Sequence, residues 1–375
     1  MIFSTFGFND VEGLRLRAGG RTYFGPNDLW RLEGFVAYGF RDDKFKYGIS
    51  GKWLLDKKSR FTLFGGSRRD VEQIGASLTS STDVLGRSLA SSAVFTAGSN
   101  DKLSNINLTN FGFSLEPFRN LEFRWDGSFR KISSASPTFS LDFNDTSSTT
   151  GISSEVNQFE SRLSLAYYPK REMTGFGVER KEKNDSFARL FAQVTRGDKN
   201  WFDSDFDYTK LQFSYIQPWQ VGGFGRLTTS VEAGKTFGEV PLALLSVVPG
   251  NQTYFSIYNT FPQLEFYEFV TDTYTSLHIE HNFNGRIFSR IPFLKKYNLR
   301  AVLGLRGVWG ELSDENRLLS TTGNPAEIVL RAPDSKIYYE YSVGVANIFK
   351  ILRIDFNFRG NYLDLPDARR FGITG

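Results

Sequence analysis

Apolar and polar residues alternate along most of this chain. In "LRIDFNFRGNY", residues 352–362, Leu352, Ile354, Phe356, Phe358 and Tyr362 share one parity, whereas Arg353, Asp355, Asn357, Arg359 and Asn361 share the other. A strand sends successive side chains to opposite faces, so this segment predicts a strand with one apolar and one polar face. The pattern recurs in "LWRLEGFVAYGF", "FKYGISGKW", "LEFRWDGSFRK", "FESRLSLAY" and "YNLRAVLGLRGVW". Period-2 alternation of this kind predicts sixteen strands, near 11–20, 28–40, 44–55, 59–68, 105–117, 119–132, 157–168, 171–182, 186–196, 205–218, 222–236, 268–283, 297–311, 337–346, 350–363 and from 369 onward. Segments 105–117, 171–182 and 186–196 alternate least cleanly. An amphipathic helix competes only within 69–104, where "SLASSAVFTAG" (Ser88 to Gly98) reads equally as a further strand.

The connections sort by length. With the first strand at 11–20, "RDDK" (Arg41 to Lys44) and "NIFK" (Asn347 to Lys350) fall on one rim, and the long segments 237–267 and 312–336 on the other. One rim of tight turns opposite one of long loops is the habit of outer-membrane barrels. The 133–156 segment does not fit, because this assignment puts it on the short rim.

Alternation alone is equally compatible with a soluble β-sandwich whose apolar face is its core. Three features favour apolar faces that look outward at lipid. Aromatic residues crowd the apolar faces near strand ends, at Trp30, Phe40, Tyr297, Trp309 and Tyr362. The polar faces carry mixed charge, as in Arg353–Asp355–Arg359 and Arg124–Asp126–Arg130, which suits cross-strand pairing around a wet lumen. Sixteen strands without helices to cover them also need closure to remove the sheet edges. The expected fold is therefore all-β, a transmembrane antiparallel barrel of about sixteen strands and the outer-membrane type.

Composition sharpens this picture. The chain has 375 residues, 16% of them aromatic, including 37 Phe and 16 Tyr, against 2 Met, 2 His and no Cys. Such length would suggest two or more soluble domains, yet nothing reads as a linker, and one barrel domain over 1–375 is expected. The net charge of +4, with both signs mixed throughout, carries no nucleic-acid footprint. The longest apolar run, "VPLALLSVV" (Val240 to Val248), is far shorter than the roughly 18 residues of a spanning helix. "MIFSTFGFND" lacks the pattern of a signal peptide, so an exported form is expected to start upstream of this Met1.

Catalytic chemistry is not expected. Both histidines lie in "SLHIEHNF", where the spacing of three sends His278 to the polar face and His281 to the apolar one. Ser276 shares a face with His278 but stands about 7 Å away along a strand, beyond direct proton transfer. "GGFG" and "FGG" read as strand bends. "FLKKYN" reads as a solvated basic rim or a lipid-headgroup contact. No cofactor, metal or small-molecule substrate is expected.

"FNDVEGLRLRAGGRT" (Phe8 to Thr22) resembles the first barrel strand of the BamA/TamA superfamily of outer-membrane proteins. The segments Tyr267 to Asn316 and Val343 to Ile373 resemble a Bacteroidota-type branch, in which such a barrel follows a carboxypeptidase-regulatory-like periplasmic domain. The resemblance implies sixteen strands with a weak seam between first and last. That seam would be lined by Val11, Gly13, Leu14, Leu16, Arg370, Phe371 and Ile373. It also implies a loop after strand eleven that folds into the lumen, here with Pro249, Gly250, Asn251 and Tyr254. The lumenal row would comprise His278, Glu280, Arg306, Arg353, Asp355 and Arg359. In the superfamily an Arg-Gly-aromatic loop tip meets an acid on strand thirteen. Here "VVPGNQTYFSIYNTF" carries no arginine and "LGLRGVW" places Arg306 where the acid is expected. The closing strand begins at "RRFGITG", without the aromatic end usual in outer-membrane substrates. The function implied is assistance in insertion or translocation of envelope proteins, with outer-membrane lipid and client or partner proteins as partners. A plugged barrel acting as anchor or accessory subunit is the alternative, and a small-solute pore is a third.

Overall fold

The computed structural model describes residues 6–74, 101–146, 148–366 and 368–375. Sixteen antiparallel strands form one sheet in sequence order. They are β1 (Phe6–Asn9), β2 (Gly13–Arg21), β3 (Trp30–Gly39), β4 (Lys44–Asp56), β5 (Phe61–Glu72), β6 (Ser104–Phe118), β7 (Leu121–Ser134) and β8 (Glu155–Tyr167). The second half comprises β9 (Arg189–Gly197), β10 (Tyr208–Gln220), β11 (Arg226–Phe237), β12 (Thr273–Asn282), β13 (Arg300–Glu311), β14 (Tyr338–Ile348), β15 (Leu352–Arg359) and β16 (Phe371–Thr374). The sheet forms a transmembrane barrel of the outer-membrane type. Every strand pairs with its sequence neighbour, so each ladder closes by a local hairpin.

Burial shows which face is inside. On β15, Leu352, Ile354 and Phe356 are exposed, whereas Asp355, Asn357 and Arg359 are nearly inaccessible. Leu303, Leu305, Tyr341 and Val343 on β13 and β14 are also exposed, while Glu340 and Ser342 are buried. This is a soluble protein turned inside out. Hydrocarbon covers the apolar face and the sheet closes on its polar one, where charges pair.

Two elements differ from the periodicity, and the differences offset each other. Phe6–Asn9 forms the first strand, one hairpin ahead of the segment read as first, and pairs with Gly13–Leu16 of β2. At four residues it is too short to establish a period, and Gly13, at φ +64°, makes the turn where a strand interior was expected. Conversely, 171–182 is not a wall strand. Only Met173–Thr174 pairs with Lys181–Glu182, and the rest lies against the 22–31 region. Val178 N donates to Asp28 O at 2.7 Å, Phe176 N to Asn27 Oδ1 at 2.7 Å, and Glu179 accepts from Arg31 at 2.9 Å. At Gly177 a Cβ would meet the Asn27 Cα at 2.7 Å, so only glycine allows this approach. Backbone groups satisfied by such partners need no ladder.

Restoring the first strand also reassigns the rims. Segments 40–43 and 135–154 join 238–272 and 312–337 on the long rim, which removes the misfit of 133–156. There the loops pack over a shared apolar core. Phe139, Leu141 and Phe143 meet Phe206, Leu242, Leu244, Leu245, Leu312 and Leu330. A short helix, α1 (Asp314–Leu319), buttresses it: Asn316 Oδ1 accepts from Val240 N at 2.8 Å, and just beyond its end Ser320 Oγ accepts from Leu242 N at 2.9 Å. The longest apolar run of the chain is thus the centre of a dome, buried on all sides. The dome also explains why β6 loses its apparent phase. Its register against β5 runs unbroken from Ser104 to Ser114, and Ile106 and Leu108 face inward because they lie beneath the dome. The Ser88–Gly98 segment lies outside the described residues.

Phe356→Arg is expected to lower membrane-folding stability by about 2–4 kcal/mol, the depth-dependent cost of a lipid-facing charge. Thr228→Arg, on the lumenal face opposite Glu280, is expected to be near neutral. Urea unfolding in lipid vesicles measures both. Asn357 is no suitable control, because its side chain is buried between Arg306 and Thr374.

Candidate functional site

Two features distinguish this barrel locally: the junction of its end strands and the loop inside its lumen. β1 and β16 each have four residues, and no ladder joins them among the described residues. Phe6, Phe8, Phe371 and Ile373 point outward, each about half exposed. The earlier seam assignment shifts accordingly. Gly13, Leu14 and Leu16 lie on β2, whose two edges are taken by β1 and β3, and Val11 sits in the β1–β2 turn. They stand one strand in from the junction. Arg370 precedes β16, and its carbonyl accepts from Arg359 N at 3.0 Å.

A buried ion cluster holds the β1–β2 turn. Glu12 accepts from Arg15 at 3.1 Å, Lys46 at 2.9 Å and Asn9 at 2.7 Å; Arg15 reaches Asp70 at 2.6 Å, and Lys46 reaches Asp42 at 2.6 Å. The cluster spans β1 to β5, so side chains fix this end of the sheet. Sequence reading missed it. The signal available was a run of inward parity carrying Arg15, Lys46, Arg68 and Asp70 on three strands.

The loop after β11 enters the lumen and doubles back. Pro249 O accepts from Phe261 N at 2.9 Å, and Asn251 N donates to Phe261 O at 3.1 Å. Gly250 lies within this bridge, where a Cβ would meet Leu264 O at 2.6 Å. The Asn251 side chain accepts from Thr253 N at 2.9 Å and donates to Phe255 O at 2.7 Å, closing the tip. Tyr254 O accepts from Gly375 N at 2.7 Å, while its ring is exposed. Phe261 packs on His278, with ring centroids 4.8 Å apart, and on Tyr338.

The wall grips this loop with chemistry unlike an Arg-Gly-aromatic tip on a strand-thirteen acid. The acid is Glu340 on β14, directly across from Arg306 of β13. Glu340 Oε1 accepts from Gln263 N at 3.0 Å and from the Tyr338 hydroxyl at 2.6 Å. The cations belong to the wall and its adjoining segment. Arg369 donates to Leu264 O at 3.1 Å and Asn251 O at 3.4 Å, and Arg359 to Glu268 at 2.6 Å. Asn259 of the loop donates to Glu232 of β11 at 2.5 Å. Further along the lumen, Arg353 bridges Glu280 at 2.6 Å and Asp355 at 2.7 Å, while Arg306 donates to Ser342 and Asn357 at 3.4 Å. Among the described residues the Ser276 hydroxyl has no hydrogen-bond partner, so it makes no bond with His278. Above the lumen, burial pushes the Tyr267 phenol well up from its ordinary range. At the opposite rim, the hydrogen bond from Arg226 holds the Asp185 carboxyl below its own.

Residues 1–315 match the family described as "Family of unknown function (DUF5686) C-terminal domain". The chain belongs to that family. No curated protein sequence matches it. Among solved structures it is similar to BamA from Haemophilus ducreyi lacking POTRA domains 1–3, at 11% identity and a TM-score of 0.55, covering 98% of this chain and 68% of that one. CdiB from Acinetobacter baumannii aligns at 10% identity and a TM-score of 0.43, over 98% of this chain and 58% of that one. At such identity the BamA likeness speaks for the fold, and it matches the sixteen-stranded barrel of this family member.

Arg359 and Glu268 are both buried, so Arg359→Met strands a charge and is expected to cost about 3–5 kcal/mol. It should also make residues 249–268 sensitive to protease. The double variant Arg359→Met/Glu268→Met is expected to recover most of the loss. Limited proteolysis and a double-mutant cycle in unfolding experiments check this.

Proposed function

We propose that this protein is an integral outer-membrane barrel that assists insertion or translocation of other envelope proteins at the junction of β1 and β16. The observation that carries this reading is that no ladder joins β1 to β16 among the described residues, whereas β2 to β15 are paired along both edges. End strands without a shared ladder leave backbone donors and acceptors that an incoming strand can pair with, as β-augmentation does elsewhere. No covalent chemistry is required, and the partners are client envelope proteins and outer-membrane lipid.

A second reading, a plugged barrel serving as anchor or accessory subunit of a larger outer-membrane complex, is favoured by one observation. A loop gripped from Glu232, Glu340 and Arg359 occupies part of the lumen, beneath a dome with its own apolar core. The same loop and dome argue against a pore for small solutes.

Proteoliposomes containing the barrel should accelerate folding of a urea-unfolded outer-membrane protein by at least about tenfold over empty liposomes, a barrier reduction of about 1.4 kcal/mol. Equal rates would reject the assembly reading. Depletion in cells separates the two: broad loss of outer-membrane proteins supports assembly, and loss of one partner supports anchoring.

A further inference from the structure

The short rim carries a segment that neither the lumen nor the junction uses. Residues 283–299 connect β12 to β13 and contain Arg286, Arg290, Lys295 and Lys296 without a single acid. They form two tight turns, Phe288–Arg290 and Lys295–Tyr297, separated by Pro292. Ser289 N donates to Gly285 O at 2.8 Å and Lys295 N to Ile291 O at 3.1 Å. Asn298, in the left-handed region, returns the chain to β13.

Neighbouring turns brace this platform. Arg286 donates to Gly223 O at 3.2 Å and lies over the Phe224 ring, 4.3 Å from its centroid. Asn347, at the next short-rim turn, donates to Asn298 O at 2.8 Å. The braced surface is strongly apolar as well as basic. Phe293 is 69% exposed, Phe349 81% and Ile351 84%, with Ile287, Ile291 and Tyr297 exposed beside them. Arg290, Lys295 and Lys296 make no ion pair among the described residues.

We infer that this platform is a binding surface for anionic phospholipid headgroups in the leaflet that meets the short rim. The exposed aromatic and aliphatic groups continue the lipid-facing belt of β12 to β15, which places them at the edge of the hydrocarbon. Basic side chains beside them stand at headgroup depth, where long cationic stems reach phosphate while their methylenes stay in apolar surroundings. An acidic protein would satisfy the charges but leave Phe349 and Ile351 in water. An anionic bilayer satisfies both. Each Lys or Arg near an anionic surface strengthens association by roughly fivefold, so three unpaired cations suffice to concentrate such lipids locally.

The chain has no cysteine, so Ser289→Cys accepts a single fluorophore on the platform, and Leu305→Cys accepts one on the lipid face of β13. The labelled barrel is reconstituted in phosphatidylcholine vesicles containing minor fractions of either brominated phosphatidylglycerol or brominated phosphatidylcholine. At position 289, quenching by the brominated phosphatidylglycerol is expected to exceed that by the choline lipid several-fold. At position 305 the two should quench alike. The triple change Arg290→Gln/Lys295→Gln/Lys296→Gln should bring position 289 to parity. Without any substitution of the cations, 1 M salt should do the same, because screening shortens the reach of charge from about 10 to about 3 Å. Parity at 289 in low salt, or no quenching there by either lipid, overturns the inference, as does absence of quenching at 305. Phosphatidylglycerol preference that survives both the triple change and high salt also overturns it.

Discussion

The whole arrangement follows from one constraint: a backbone amide in hydrocarbon finds no water to bond. A chain without long apolar helices can meet that constraint only by pairing strands into a wall and sending its apolar side chains outward. Once the wall forms, the polar residues of each strand are driven into a narrow interior. There they must find partners among themselves, because an unpaired charge in such a space is costly. The interior of this protein is accordingly an ionic structure, whereas most of its lipid-facing wall is uniform and interchangeable.

That asymmetry concentrates specificity in few places. Arg15, Glu12, Lys46 and Asp70 hold one end of the sheet, and Glu340, Arg359, Arg369 and Glu268 hold the lumenal loop near the other. Arg15, Glu12, Lys46 and Asp70 are almost completely buried, as are Glu340, Arg359 and Glu268, so each group is satisfied only in one geometry. The side-chain networks beside the end strands are dense.

Much of this was legible in the residues. Alternation in 352–359, 300–311 and 121–134 fixes strands, their faces and the outward direction of the aromatic rows. It fails where the physical reason for alternation is absent. Phe6–Asn9 is too short to show a period. Residues 171–182 satisfy their backbone through Asn27 and Asp28 instead of a wall partner. Ile106 and Leu108 face inward because loops bury that end of the lumen. The dome itself is invisible to periodicity, since Leu242, Leu244 and Leu245 are covered on every side. The loop grip was legible only as missing parts: no arginine at the tip and Arg306 in place of an acid. The replacement, Glu340 meeting a backbone amide, has no sequence signature because any residue supplies that amide.

The claim on which all else rests is that the ionic row of each strand is enclosed and the aromatic row bathes in lipid. Single cysteines at 353 through 358, spin-labelled one at a time in vesicle-reconstituted protein, test it directly. Collisional relaxation by oxygen should peak at 354, 356 and 358 and fall at 353, 355 and 357. A flat profile, or peaks at the charged positions, would contradict the account.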